Sequence, residues 1–399
     1  MFSRGASRIV AGMEKMPHSL LSLGVLEDPY VFFAEWREQA PVVRGQEGYA
    51  VTRYRDVWRL MRDPAISHEF PRAMLAYALG DGAATDFHAN SLLNREGDDH
   101  HRLRKLMNQA FHAGTVRQLR SHVGDLVDQL LEPMLDGEAR DVVDDLAFPL
   151  PSAVICELLG IPTADRDEVR RQTAQVGGTD NASVDAAITW LRDYMSAVLS
   201  ERSPDSDGDL FQRMLAAEDD DDRLTHQEIV DNAMLLFVAG FDTTKNVIAS
   251  GVVALNDFPD EQRKLWDDPD LTPNAVEEFL RFDGPVRFSP GVSVADVEID
   301  GDLIPAGNFV QLWLGSANHD PRQFADPDRL EITREPNQHV AFGGGAHYCL
   351  GAMLARVEAD VVFRRLAQRV KKIELAGAPV RSVGGLGTYA AVPVRFQPA

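Results

Sequence analysis

Cysteine is nearly missing from this chain, with Cys156 and Cys349 the only two in 399 residues. Two thiols so far apart in sequence exclude a disulfide framework and point to a reducing cytoplasm as the setting. Positive charge is also scarce: 40 Lys and Arg stand against 62 Asp and Glu, a formal net charge of -22. A nucleic-acid partner would need a basic surface, so that class is set aside. The imbalance otherwise bears on solubility and long-range steering, not on fold. No apolar run reaches the length of a bilayer span without a charge. Met1 to Leu20 carries Arg4, Arg8, Glu14 and Lys15, unlike a signal peptide. Residues 1–20 therefore read as a flexible N-terminal segment, and no membrane partner is expected. Repeats, long low-complexity tracts and a linker between two cores are lacking too, so residues 1–399 read as a single domain.

What is present is ordinary globular material, 44% hydrophobic and 26% charged, enough for a large core. Pro29 to Gln39 reads as a helix, Tyr49-Ala50-Val51-Thr52 as part of a strand pair, and a further helix starts at Tyr54. From His100 to about Leu280 apolar residues recur three and four apart, the helical spacing. Breaks are expected at Gly137, at Gly177-Gly178 and across Ser203 to Gly208, and the acidic run Glu218 to Asp222 reads as a solvated loop. Past Pro285, short alternating segments such as Val297-Glu298-Ile299 and Phe309 to Leu312 lie between Gly and Pro, the pattern of small sheets. A last helix starts near Cys349 and runs to about Val370. Gly384 to Gly387 then reads as a turn, and Ala391 to Val394 as a strand. Cys156, inside the apolar run Ser152 to Gly160, reads as a buried small hydrophobe.

Cys349 sits in a different setting, Phe342-Gly343-Gly344-Gly345-Ala346-His347-Tyr348-Cys349-Leu350-Gly351. Three consecutive glycines free the backbone for tight turns. The helical pattern that follows, with Leu350, Leu354, Val357 and Val361 on one side, puts the sulfur where helix N–H donors favour a thiolate. A shielded thiolate is a soft ligand for iron. The plainer alternative is a glycine loop capping an ordinary helix. The full string, however, resembles the cysteine-loop signature of the cytochrome P450 family, Phe-x-x-Gly-x-x-x-Cys-x-Gly, at Phe342, Gly345, Cys349 and Gly351. The bacterial additions match at Gly343, His347 and Leu350.

Three further motifs follow the order that this resemblance implies. Thr225 to Glu228 forms a capping box ahead of an apolar run to about Leu255. In its middle lies Ala239-Gly240-Phe241-Asp242-Thr243-Thr244, where a helical glycine costs about 1 kcal/mol relative to alanine and calls for a reason such as a flat ligand. Taken alone, this could be a bent helix without chemistry. In the family the segment carries an acid and an alcohol that serve dioxygen, which implies Asp242 and Thr243 as catalytic groups and Ala239 and Gly240 against the haem. Splitting O–O needs protons delivered into a dry pocket. Thr272 as N-cap and Pro273 at the first helical position open a helix carrying Glu278 and Arg281, which match the family's buried Glu-x-x-Arg pair, with Arg329 its expected third member. His100 and Arg104 lie four apart, and either face a common partner or merely coat a solvated helix. The family implies haem propionate contacts for them and for His347.

The resemblance implies a mainly α fold with small β-sheets, and haem b held between a long central helix and the cysteine-loop helix, with Cys349 on the iron. Phe342, Gly343 and Gly351 would shape the haem site. The activity implied is a monooxygenase that puts one atom of O2 into a hydrophobic small molecule. Electrons would come from a ferredoxin and its NAD(P)H-dependent reductase, and the chain is expected to be a monomer. A basic patch of Arg102, Lys105, Arg356, Arg364 and Arg365 would receive the ferredoxin. The family lines its substrate pocket from residues 71–95, from Phe237 and Phe241, from 286–292 and around Thr388-Tyr389. Two departures stand out. The arginine that many bacterial members place five residues before Asp296, on a propionate, is Gly291 here, so that contact is either absent or supplied by another group such as Arg287. The lid region between Arg166 and Met195 is short and holds Gly177-Gly178. Two rivals stay open: a peroxide-dependent peroxygenase, against which Asp242-Thr243 argues, and a non-catalytic haem-binding module.

Overall fold

The structure, a computed structural model, describes residues 29–399 apart from 46–47, 112, 179, 204–207, 220–221, 383–386 and 388. The N-terminal segment 1–20, most of the break at Ser203 to Gly208, the glycines Gly384 and Gly385, and Thr388 thus lie outside the described residues.

The expected mixture of helices and small sheets is what forms. The chain opens with α1 (Pro29–Gln39), the hairpin β1 (Val42–Arg44) and β2 (Tyr49–Val51), α2 (Tyr54–Leu60) and the short β3 (Ile66–Ser67). There follow α3 (Arg72–Leu79), α4 (Ala83–Asn90), α5 (Gly97–Ala110), α6 (Ala113–Leu131), β4 (Arg140–Asp141), α7 (Pro149–Leu158), α8 (Arg166–Val176), α9 (Asn181–Ser200) and α10 (Leu210–Ala216). The acidic run, expected as a loop, instead pairs β5 (Glu218–Asp219) with β6 (Asp222–Arg223), Glu218 opposite Arg223 and Asp219 opposite Asp222. Then come α11 (His226–Asp257), α12 (Pro259–Asp267), α13 (Thr272–Asp283), the strands β7 (Ser289–Ser293), β8 (Val297–Ile299), β9 (Asp302–Ile304) and β10 (Phe309–Leu312), and α14 (Leu314–Asn318). The last helix is α15 (Ala352–Arg369), followed by β11 (Val370–Leu375), β12 (Val380–Arg381), β13 (Tyr389–Ala391) and β14 (Pro393–Pro398).

α11 organises the molecule. Both capping-box bonds form: the Thr225 hydroxyl accepts from the Glu228 N–H, and the Glu228 carboxylate accepts from the Thr225 N–H. Its 32 residues run through the largest apolar cluster, which it shares with α7, α9, α13 and α15. Close packing there explains Gly251, where a Cβ would lie 2.4 Å from the Phe363 ring and 2.9 Å from that of Phe279. A second cluster joins α2 and α14 to a five-stranded sheet of order β1-β2-β10-β7-β3, in which only β10 and β2 run parallel. β4 joins β14, tying the middle of the chain to its end. Cys156 is fully buried and its thiol is pushed up to about 11 by that burial, as a small core hydrophobe should be. Among the described residues, no helix is long and apolar enough to cross a membrane.

One start signal differs from expectation. Leu271 is the N-cap of α13, and Thr272 is already inside the helix, its hydroxyl donating to the Pro269 carbonyl at 2.6 Å. A preceding helical turn at Pro269–Leu271 captures the hydroxyl and shifts the boundary by one residue.

Candidate functional site

The glycines of the Phe342–Gly351 loop answer to its neighbours. Gly343 and Gly345 adopt positive φ, 71° and 64°. A Cβ on Gly345 would meet the Met61 carbonyl oxygen at 2.4 Å, and one on Gly344 the Arg62 guanidinium at 2.7 Å, so the end of α2 sits directly on the loop. The Cys349 N–H closes the loop onto the Phe342 carbonyl at 3.0 Å. Two residues, not none, separate Cys349 from α15, and the N–H groups of Gly351 and Ala352 are the donors that reach its sulfur. Arg104 donates to the Tyr348 carbonyl at 2.6 Å and Arg356 lies over the Phe342 ring at 4.4 Å, so both guanidinium groups attend the loop.

The Cys349 side chain is exposed, yet enough protein surrounds it that burial raises its pKa. A side chain that is open to solvent yet ringed by protein sits in a recess. Burial outweighs the lowering by the two N–H groups, Arg104 and Arg356, so helix donors alone do not hold a thiolate as the sequence suggested. A metal cation bound at the sulfur would supply charge of the sign that favours the thiolate. Among the described residues, no three His, Cys, Asp or Glu side chains converge as a chelating set. A metal at Cys349 would have to bring its remaining ligands with it, as porphyrin iron does.

α11 has a matching opening. It is buried on almost every side, but Ala239 is exposed and Leu235, Leu236, Gly240, Asp242 and Thr243 are half-buried in mid-helix. Spacings of three and four make 235/236, 239 and 243 one stripe. A Cβ on Gly240 would touch nothing within 4 Å. The stripe therefore faces space instead of protein, the condition a flat ligand requires. The Thr243 and Thr244 hydroxyls donate back to the Ala239 and Gly240 carbonyls at 2.9 Å and 3.0 Å. Asp242 is turned to Lys245, one turn on and largely buried, in an ion pair that the sequence reading missed. The spacing of three on a helix was its available signal.

His100 and His347 do converge. Their rings lie 4.2 Å apart, and the His347 ring is 4.3 Å from that of His68, a third imidazole the motifs had not singled out. Glu96 faces this file, its Oε1 3.2 Å from His347 Nε2. His100 Nε2 is buried without a partner. Burial is the first cause that pushes His100 down to about 4 and His347 to about 3, with neighbouring cations adding to it. Carboxylates arriving here would find imidazoles and the Arg104 guanidinium. The residues present thus fit a flat group carrying iron and carboxylate arms.

Glu278 and Arg281 are fully buried and joined twice, at 2.7 Å and 2.8 Å. The third member is Arg334, not Arg329: its Nε lies 3.2 Å from both Glu278 oxygens, while Arg329 offers only its backbone carbonyl to the two guanidinium groups. The chain turns at 326–329, so a carbonyl and not the side chain of Arg329 points inward.

Other expected residues fall elsewhere. Phe237 and Phe241 pack against each other and Phe148 within the helical core, not on the open stripe. The Tyr389 hydroxyl is held on Asp283. Arg287 is buried against Gly387, at a place where its charge bears on Tyr30. The lid region between Arg166 and Met195 is built of α8 and α9, with residues 177–180 between them. Arg102, Arg356, Arg364 and Arg365 each pair with acids of the chain itself.

Comparison with known proteins gives one answer. The cytochrome P450 family model matches residues 177–372. Cytochrome P450 107B1 of Saccharopolyspora erythraea is 37% identical over 368 residues, 88% of this chain and 90% of that one. A vitamin D(3) 25-hydroxylase of Pseudonocardia autotrophica is likewise 37% identical, covering 90% of each chain. The solved structure of cytochrome P450 CYP109Q5 from Chondromyces apiculatus superimposes with a TM-score of 0.88 at 32% identity, over 96% of this chain and 98% of that one.

Proposed function

This chain belongs to the cytochrome P450 family of haem b monooxygenases, and on that premise we propose that it hydroxylates, or similarly oxidises, a hydrophobic small molecule with electrons from a ferredoxin and its NAD(P)H-dependent reductase. When bound, the haem activates dioxygen. Cys349 would hold the iron through Sγ, with Arg104 and the loop N–H groups beside that sulfur. His100, His347 and Arg104 would hold the propionates, and Ala239 and Gly240 would lie along the porphyrin. Phe342, Gly343 and Gly351 would shape the loop. Thr243 would keep a proton at Oγ1 within the site. Asp242 would carry protons inward by leaving Lys245 for the Thr243 side, a movement of one carboxylate on a helix face. The substrate would face the apolar part of the stripe, Leu235 and Leu236, with Leu93, which is 51% exposed beside a residue bonded to α11. The hydrophobic substrate named for the Pseudonocardia relative agrees in chemical class.

The observation that carries this reading is the pairing of an enclosed yet accessible sulfur at position 349 with an open stripe on an otherwise buried helix. Purified protein should be coloured, and its reduced carbon monoxide complex should show the red-shifted band of thiolate ligation. Cys349→Ala should abolish that band. Ferredoxin-driven turnover in Thr243→Ala should consume NAD(P)H and release peroxide without product. Tight coupling in that variant, with efficient peroxide-driven turnover of the native enzyme, would favour the peroxygenase instead.

A further inference from the structure

The sequence leaves a gap, because β7 has Gly291 where many relatives place a propionate-binding arginine. The structure shows that the space beside this glycine is already taken. A Cβ on Gly291 would lie 2.7 Å from Ile66 Cγ2 and 3.2 Å from the Ser67 carbonyl oxygen. β3 pairs with β7 across this point, Ile66 with Ser293 and Ser67 with Val292, and closes over the glycine.

The residue that follows β3 is His68. Its ring lies beside the carbonyl of Pro290, the residue immediately before Gly291, close enough to interact with it. Its centroid is 4.3 Å from the His347 ring, which in turn is 4.2 Å from that of His100. Three elements distant in sequence thus bring their imidazoles into one file. The carboxylate placed against this file is Glu96, whose Oε1 accepts from the backbone N–H of His68 at 2.6 Å and lies 3.2 Å from His347 Nε2. The ring that Glu96 reaches is that of His347, while His100 Nε2 is buried without a partner, so the file keeps donor capacity for a further carboxylate.

We propose that His68 is a haem propionate donor in this protein and fills the position left open at Gly291. An imidazolium donates from both nitrogens, so one can face the Pro290 carbonyl while the other meets the propionate. The same contact of β3 with β7 that crowds position 291 delivers the His68 ring there instead. The inference depends on the family's haem and not on the substrate or electron donor proposed above.

The test is haem transfer from the holoprotein to excess apomyoglobin, using native haem and haem dimethyl ester, which lacks free propionates. With native haem, His68→Ala should lose the cofactor about tenfold faster or more, the loss of one charge-assisted hydrogen bond. With the dimethyl ester, wild type and variant should lose it at rates within about twofold of one another, the limit of independent effects. A native-haem rate unchanged by His68→Ala overturns the proposal, and so does an equal acceleration with both haems, which would mean packing alone. If circular dichroism shows that His68→Ala misfolds, His68→Gln is read by the same two comparisons, since it keeps an N–H donor and should give a smaller acceleration with native haem only.

Discussion

Glu358, in the second turn of α15, is buried with Oε2 unpartnered, and burial pushes its carboxyl from 4.5 up to about 8. The folded protein therefore holds a proton there that the unfolded chain has already released. Stability from this group is complete below about pH 4.5 and is lost as pH rises through about 8, at up to about 1.4 kcal/mol per unit. Glu358→Gln keeps the shape without the titration. Its melting temperature should match wild type near pH 5 and exceed it increasingly towards pH 8, as differential scanning fluorimetry would show; a constant difference would mean that the carboxyl finds a partner. Residue identity alone did not reveal this, since a glutamate in an amphipathic run reads as a solvent-facing position. Arg329 and Arg334 make the same point. Both lie on the loop expected to meet Glu278, and only the path of the backbone decides which guanidinium arrives.

At the scale of elements, α11 was the most legible part of the molecule. Its capping box, its apolar spacing and its out-of-place glycine are all local signals, and each has its counterpart in the structure. Gly240 gives a prediction of opposite signs. Because a methyl there meets nothing, Gly240→Ala should stabilise the haem-free protein by about 0.5–1 kcal/mol through helix propensity alone. That is a rise of about 1–2 °C in Tm for a chain of this size. The same methyl enters the open stripe, so haem retention should fall. Calorimetry of the apoprotein beside haem-transfer rates checks both; a lower apoprotein Tm would place the methyl against protein. The cysteine loop was legible as a motif, but its electrostatics were not. Helix N–H groups do reach Cys349, yet enclosure by the rest of the protein outweighs them.

For the molecule as a whole, charge has the longest reach. A net charge of -22 opposes an acidic redox partner at long range, and the arginines expected to welcome one are largely occupied by the chain's own carboxylates. With an acidic ferredoxin as donor, the bimolecular rate of first-electron transfer should rise as ionic strength goes from about 0.01 M to about 0.1 M, where screening shortens to about 10 Å. Stopped-flow reduction under carbon monoxide measures this directly, and a steep fall would show that a local positive patch prevails over the global field. By itself the sequence determined the helical class, the cysteine loop and the long capped helix, because periodicity, capping and glycine chemistry act between residues a few positions apart; that Glu278 and Arg281 pair in the interior came only with the family resemblance. Only the tertiary structure decided that Arg334 completes the Glu278 cluster, that Phe237 and Phe241 belong to the core, that Asp242 rests on a buried Lys245, and that His68 joins His347 and His100. Most of those contacts join residues far apart in the chain, and even the Asp242–Lys245 pair depends on packing to bury its lysine; no local pattern encodes where the chain will return.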